Sequence, residues 1–253
     1  MYFERHNMTF AEKIISFNRN LYFDNPLPKG IRVMNPYAEN PEALEASTRF
    51  YQKYYADDLP RKLILGINPG RFGAGVTGIP FTDTKRLKEV CGIRINNVST
   101  YETSSVFVYE FIEAYGGPEA FYRDYYISAV CPLGFVRTGK NGKEVNLNYY
   151  EIPELIALSK DFIIRSLEHQ LAFGIDRECC YCFGNNKNFR YLSALNQEKG
   201  YFNRIVPLEH PRFIMQYRSK QKELFIRKYL QFLKINSLKN EKFHYFDFAA
   251  GGI

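Results

Sequence analysis

Two apolar, strand-like runs in this chain end on side chains that can do chemistry. The first lies in Leu63–Phe81, LILGINPGRFGAGVTGIPF, and stops at Asn68-Pro69-Gly70; the second, Ile205-Val206-Pro207-Leu208, runs into Glu209-His210-Pro211-Arg212. Open α/β sheets bind ligands in the crevice outside the carboxyl ends of their strands, so this pattern can bring an amide and an imidazole to one place. An asparagine amide can orient a water but, unlike a carboxylate, cannot accept a proton fully. A histidine can donate a hydrogen bond to an atom on which negative charge develops. Each residue taken alone also has an ordinary structural use, Asn68 as a turn-former bonding its own backbone and His210 as a loop residue before proline.

The elements that must position these groups are legible as alternating helices and short strands. Thr9-Phe10-Ala11-Glu12 is a capping-box pattern opening a helix toward Arg19, and Asn40-Pro41 offers a cap and first turn for a helix through Tyr55. Thr82 or Asp83 can cap a short helix carrying Leu87 and Val90. A longer helix begins at Ser104 and stops at Gly116-Gly117-Pro118. Helices are also expected from Pro153 to about Ala172 and from about Arg218 to Leu233. The apolar runs at Leu63–Ile67, Tyr126–Cys131, Glu178–Phe183 and Asn203–Leu208 read as four strands of a parallel sheet covered on both sides. Gly134–Tyr149, with TGKNGKEVNLN, reads as a binding loop following a strand.

Composition sets wide bounds. The chain has 253 residues, 45% of them hydrophobic, which is enough for one sizeable core, and a single domain over residues 1–253 is expected. With 34 Lys+Arg against 27 Asp+Glu the formal charge is +7, which favours an anionic partner. No run approaches the roughly 20 apolar residues that span a bilayer, and MYFERHNMTF lacks a signal peptide's basic-then-apolar layout, so a cytoplasmic protein without a membrane partner is expected.

Two patterns resemble sites and fail on geometry. Gly73-Ala74-Gly75-Val76-Thr77-Gly78 fits G-x-G-x-x-G, but Asn68-Pro69-Gly70 has already ended the strand and Pro80 disfavours helix at Ile79, whereas a dinucleotide fingerprint places its glycines in the strand-to-helix turn. No Gly-Lys-Ser/Thr follows, which excludes a Walker loop. Cys179, Cys180 and Cys182 sit in an apolar strand where only Cys180 and Cys182 share a face, and no second pair supports a metal centre. They read as core.

What remains is a family resemblance. GINPGRFGAGVTGIPF resembles the first motif of the uracil-DNA glycosylase superfamily, in its single-strand-selective monofunctional branch: an Asn-Pro-Gly start, a Phe-Gly step and a Thr-Gly-x-Pro-Phe end, without a gap from Asn68 to Phe81. Cys131-Pro132-Leu133 is similar to that branch's middle motif, Cys180–Asn185 to its third core strand and turn, and His210-Pro211 to the start of its second catalytic motif. The second, bacterial group fits best. The resemblance implies a three-layer α/β/α sandwich around a four-stranded parallel sheet. It also implies a monomeric, monofunctional glycosylase that extrudes and removes uracil or a 5-substituted uracil from DNA, with no metal or organic cofactor. On that reading Asn68 orients the water, His210 stabilises the departing base, Phe81 stacks on it, and the backbone of Arg71, Phe72 and Gly73 lines the base slot.

Departures from the family pattern bear on specificity. The family carries an Asn just ahead of Cys-Pro-Leu that reads the base edge, where this chain has Ala129 preceded by Ser128. Ser128, backbone groups, or an amide from Asn146 or Asn148 are the candidate replacements. After His210-Pro211 the chain continues Arg212-Phe213-Ile214-Met215 rather than with Ser and Pro. An apolar wedge of Phe213 and Ile214, with Arg212 and Arg218 holding phosphates, suits base extrusion; the same run could instead be the hydrophobic start of the last helix. A glycosylase for hypoxanthine or xanthine, and a catalytically weak damaged-DNA-binding module, are the alternative readings.

Overall fold

The structure, a computed structural model, describes residues 7–139 and 141–235. Its strands are β1 (Ile31–Met34), β2 (Arg61–Gly66), β3 (Tyr125–Ala129), β4 (Gly134–Thr138), β5 (Glu144–Leu147), β6 (Ile175–Phe183) and β7 (Arg204–Leu208). Four of them form an all-parallel sheet in the order β3-β2-β6-β7. Every residue of β3 is buried, as a strand covered on both faces requires.

Neighbouring tyrosines show how the layers divide. Tyr126 turns to one face, where its ring meets Phe10 and Phe173, while Tyr125 turns to the other, against Phe121 and Tyr181, and its hydroxyl donates to the Leu233 carbonyl at 2.8 Å. Helices Phe10–Arg19, Pro41–Tyr54 and Pro153–Leu171 cover the first face, and Thr103–Tyr115, Pro118–Asp124 and Lys222–Ile235 the second. This is the expected three-layer α/β/α arrangement.

Local signals place the helix starts. Thr9 and Glu12 make the reciprocal capping box, Asn40 caps the helix that begins at Pro41, and of the two candidates at the next cap it is Asp83 that accepts from the Arg86 amide. The five cysteines are buried and free. No helix among the described residues is long and apolar enough to cross a membrane.

Three expectations need correction. Gly134–Tyr149 is not an open loop: its two halves are β4 and β5, an antiparallel hairpin that pairs with β1 in a second, three-stranded sheet. The strands are short and half polar, with β5 alternating Glu144, Val145, Asn146, Leu147, so the run carries little apolar signal. Lys187–Lys199 is a further helix with little apolar signal in the sequence, since only Asn188, Leu192 and Leu195 are buried along it. Pro211–Tyr217 is a short helix of its own, separated from Lys222–Ile235 by a 3-10 turn at Ser219–Gln221.

Strand register aligns the carboxyl ends. Gly66 pairs with Ala129, Leu65 with Cys182, and Phe183 with Leu208, so the segments carrying Asn68, Pro132, Gly184 and His210 all leave the same edge.

Candidate active site

Asn68 follows β2 by two residues, and its amide is held on both sides. The Oδ1 atom accepts from the Tyr149 amide at 3.1 Å, and Nδ2 donates to the Leu147 carbonyl at 3.3 Å. The end of β5 thus fixes which way the amide faces, while the second Oδ1 lone pair stays available to a water. A reciprocal bond secures the turn: Asn146 Oδ1 accepts from the Arg71 amide at 3.1 Å. Behind them Asn188 donates to the carbonyls of Gly66 at 3.2 Å and Phe183 at 3.0 Å and accepts from the Tyr149 hydroxyl at 2.9 Å, tying two strand ends to the segment that holds Asn68.

His210 caps the helix Pro211–Tyr217. Its Nδ1 accepts from the Arg212 amide at 3.1 Å, so in the neutral ring the proton sits on Nε2 and that nitrogen is a donor. Burial, reinforced by the nearby Arg212 charge, pushes the imidazole down to about 4, which keeps it neutral at physiological pH.

Phe81 completes the constellation, with its ring centroid 5.6 Å from His210 and its edge against Phe183 at 5.2 Å. It is the sole non-glycine among the described residues with positive φ, at 53°. Such a conformation is uncommon for a bulky residue and persists only where its surroundings impose it. Gly66 is part of that surrounding: a Cβ there would stand 2.8 Å from the Phe81 ring, so the strand end must be glycine for the ring to lie where it does.

Asn68, Phe81 and His210 line one cavity of about 290 Å³, together with Ser128, Ala129, Pro132, Asn148, Arg212, Phe213 and Tyr217. Arg71, Phe72 and Gly73 lie outside this wall, which takes in Pro69, Gly70 and Ala74 instead. The reason is local: the Arg71 amide is committed to Asn146 and the Gly73 amide to the Gly70 carbonyl at 3.2 Å, while Phe72 turns outward, 49% exposed, under the Arg71 guanidinium. Asn148 is at the wall, but its Nδ2 donates to Glu151 at 2.6 Å.

The wedge divides in two. Phe213 is 42% exposed at the cavity mouth, packed on Tyr217 and near the Arg218 guanidinium. Ile214 is fully buried and belongs to the core, because helix Pro211–Tyr217 turns successive residues to different faces. It cannot enter a base stack.

Glu102 is a cavity residue without a sequence signal. It lies against Gly70 and Gly73 of the first-motif turn, and its pKa is raised to about 7 by burial and by Asp83, opposed by a hydrogen bond from Ser105 and by Arg212. A lone glutamate before a helix, thirty-four positions from Asn68 in the chain, carries no spacing signal. Among the described residues no three His, Cys, Asp or Glu side chains gather as a metal site.

Known proteins resemble this chain in sequence and fold. The family model described as the Uracil DNA glycosylase superfamily matches residues 52–234. The single-strand selective monofunctional uracil-DNA glycosylase of Rattus norvegicus is 26% identical over 180 residues, 63% of this chain and 62% of its own length, so the match spans less than two thirds of that relative. The crystal structure of Pedobacter heparinus SMUG2 superposes with a TM-score of 0.90 at 49% identity, covering 91% of this chain and 99% of that one. With a matched family over most of its length and a fold shared in detail, the chain belongs to the uracil-DNA glycosylase superfamily, on its single-strand-selective monofunctional branch.

Proposed function

We propose that this chain, acting as one domain and as a monomer, is a monofunctional DNA glycosylase that hydrolyses the N-glycosidic bond of uracil or a 5-substituted uracil in DNA. The observation that carries the reading is the oriented pair of Asn68 and neutral His210 on one cavity whose wall includes the Phe81 ring. An extruded base enters the cavity and stacks on Phe81. The bond to the sugar lengthens ahead of water attack, since Asn68 can orient a water through Oδ1 but cannot take its proton. The sugar then carries oxocarbenium-like positive charge and the base carries negative charge on its oxygens. The His210 Nε2–H is a preorganised donor for that charge in a partly desolvated site. No proton transfer from His210 is required, which suits a ring held neutral. Arg212 and Arg218 flank the mouth and are suited to phosphates, and Phe213 is suited to fill a vacated stack.

The test uses labelled oligonucleotides carrying one uracil, single-stranded and duplex, treated with the protein and then split between mild buffer and hot alkali. Strand breaks only after alkali are expected. Breaks without alkali would indicate a bifunctional lyase, and none in either arm would overturn the reading.

A further inference from the structure

The cavity wall includes more than the residues around Phe81. It takes in the strand ends at Gly66 and Ala129 together with a group of mostly buried residues, Asn18, Tyr37, Tyr51, Tyr126 and Ser128, which we call the inner lobe. These residues come from the first two long helices, the turn before the second, and β3. A cavity of about 290 Å³ is more room than a single pyrimidine ring fills, and Ala129 offers only a methyl group at the passage.

The lobe is polar where its depth would favour apolar walls. Asn18 and Ser128 are 5% exposed and Tyr51 and Tyr126 2%. Buried polar groups call for partners, and Tyr126 and Ser128, two residues apart on β3, turn to the same face of the sheet, while Asn18 and Tyr51 line the same cavity. Burial pushes both phenols above their usual range, so they stay neutral and keep their protons. A hydroxyl offers one donor and two acceptor sites, so two hydroxyl residues side by side on the cavity wall have capacity to bond something further.

We propose that this inner lobe is the base reader: the Ser128 hydroxyl, backed by Tyr126, bonds the C4-oxygen edge of the extruded pyrimidine, directly or through one water. The inference rests on the glycosylase reading. It assigns to two hydroxyls the task an amide at the Ala129 position would perform, with a difference in kind. An amide presents a fixed donor and a fixed acceptor, whereas a hydroxyl turns to supply either, so recognition here tolerates base edges of either polarity.

The experiment measures binding, independently of catalysis. A single-stranded oligonucleotide carries one non-hydrolysable 2′-fluoro nucleotide whose base is uracil or pyrimidin-2-one, which lacks the C4 oxygen. Affinities are measured for the native protein, Ser128→Ala and Tyr126→Phe. Each variant is expected to bind the uracil oligonucleotide about tenfold more weakly and the pyrimidin-2-one oligonucleotide within about twofold, the size of one desolvated hydrogen bond. Tyr126→Phe keeps the ring packed on Phe10, Tyr55 and Phe173, so its melting temperature should match the native one. Equal weakening on both bases, or no change on either, overturns the assignment. A native protein that binds uracil-containing and undamaged oligonucleotides alike, and releases no uracil, overturns the glycosylase reading itself and the lobe's role with it.

Discussion

At the amino-terminal edge of the parallel sheet Arg61 is fully buried and satisfied: its guanidinium pairs with Asp57, donates to the carbonyls of Leu59 and Tyr122 at 2.6 and 3.3 Å, and lies over the rings of Phe10 and Tyr55. At the carboxyl-terminal edge the polar groups are desolvated without such completion. His210 is held neutral, Glu102 is pushed toward neutrality, and Phe81 sits at a φ of 53°. Both edges belong to the same four strands and the same core. One edge uses its buried charge to hold the chain together, and the other, on the proposed function, keeps polar capacity in reserve for a ligand. Substitutions at the first edge should therefore appear in stability and those at the second in turnover.

The largest effect is expected at Arg61. Arg61→Ala leaves the Tyr122 and Leu59 carbonyls without their donor and opens a void under two aromatic rings. Breaking a buried pair from one side costs about 3–5 kcal/mol, and because Asp57 is itself partly exposed the lower end applies. Denaturant unfolding measures this. The protein that remains folded should keep its native excision rate, and a rate loss parallel to the stability loss would erase the contrast between the edges.

His210→Ala and Asn68→Ala are the mirror image. Removing one preorganised donor from a developing anion costs roughly a hundredfold or more in rate. Single-turnover excision of uracil should fall by about that factor in each variant, with melting temperature and affinity for an abasic-site duplex little changed. The neutral imidazole adds a pH signature. Its folded pKa lies below the ordinary value, so the native state binds fewer protons than the unfolded chain between about 6.5 and 4, and stability associated with His210 is lost as pH falls through that window. If His210 acts as a neutral donor, the acid limb of the rate profile should lie near 4. A limb near 6.5 would mean that the ring is not desolvated as its geometry indicates.

Helix Pro211–Tyr217 contains the contrast in two adjacent residues. Phe213→Ala should slow excision from duplex by about tenfold and spare single strands, because extrusion must break pairing and stacking only in the duplex. Ile214→Val, one residue on, should lower stability by about 1 kcal/mol and leave the duplex-to-single-strand ratio alone. Equal behaviour of the two variants would show that helix Pro211–Tyr217 does not separate a DNA face from a core face.

The same division explains what could be read from the chain. Asn68, Phe81 and the glycines around them lie within fourteen consecutive residues, so their spacing carries the site directly. His210 is legible because Pro211 follows it at a strand end. The four parallel strands announce themselves as apolar runs, and the helix caps at Thr9, Asn40 and Asp83 are local signals. The remainder depends on contacts distant in sequence. Tyr149 steadies Asn68 from 81 positions along the chain and Asn188 lies a further 39 beyond, while β4 and β5 join a three-stranded sheet through the pairing of β1 with β4. Asn18 and Tyr51 reach the inner lobe from helices whose periodicity marks them as ordinary inward-facing residues. Burial can be inferred from such a pattern, but not that a cavity lies beside it.

Glu102 gives the smallest effect and the finest test of the comparison. Its carboxyl is raised to about 7, chiefly by burial, with Asp83 adding to the shift. A carboxyl whose folded pKa exceeds its unfolded one favours the folded state most when protonated, so its contribution is present in acid and lost as pH rises from about 4.5 through 7. Glu102→Gln keeps the shape and abolishes the titration. At pH 8 the variant should be more stable than the native protein by on the order of 1 kcal/mol, discounted because the group retains access to solvent, and at pH 4 the two should coincide. The carboxylate also stands at the cavity mouth near enough to Arg212 to feel its charge. Removing the negative charge should strengthen binding to undamaged DNA at pH 8 by a few-fold and not at pH 5.5, a difference that fades with added salt. A stability gain of the same size at both pH values would show that Gln improves packing and that Glu102 does not titrate in this range; the carboxylate would then belong with Arg61, as part of the scaffold.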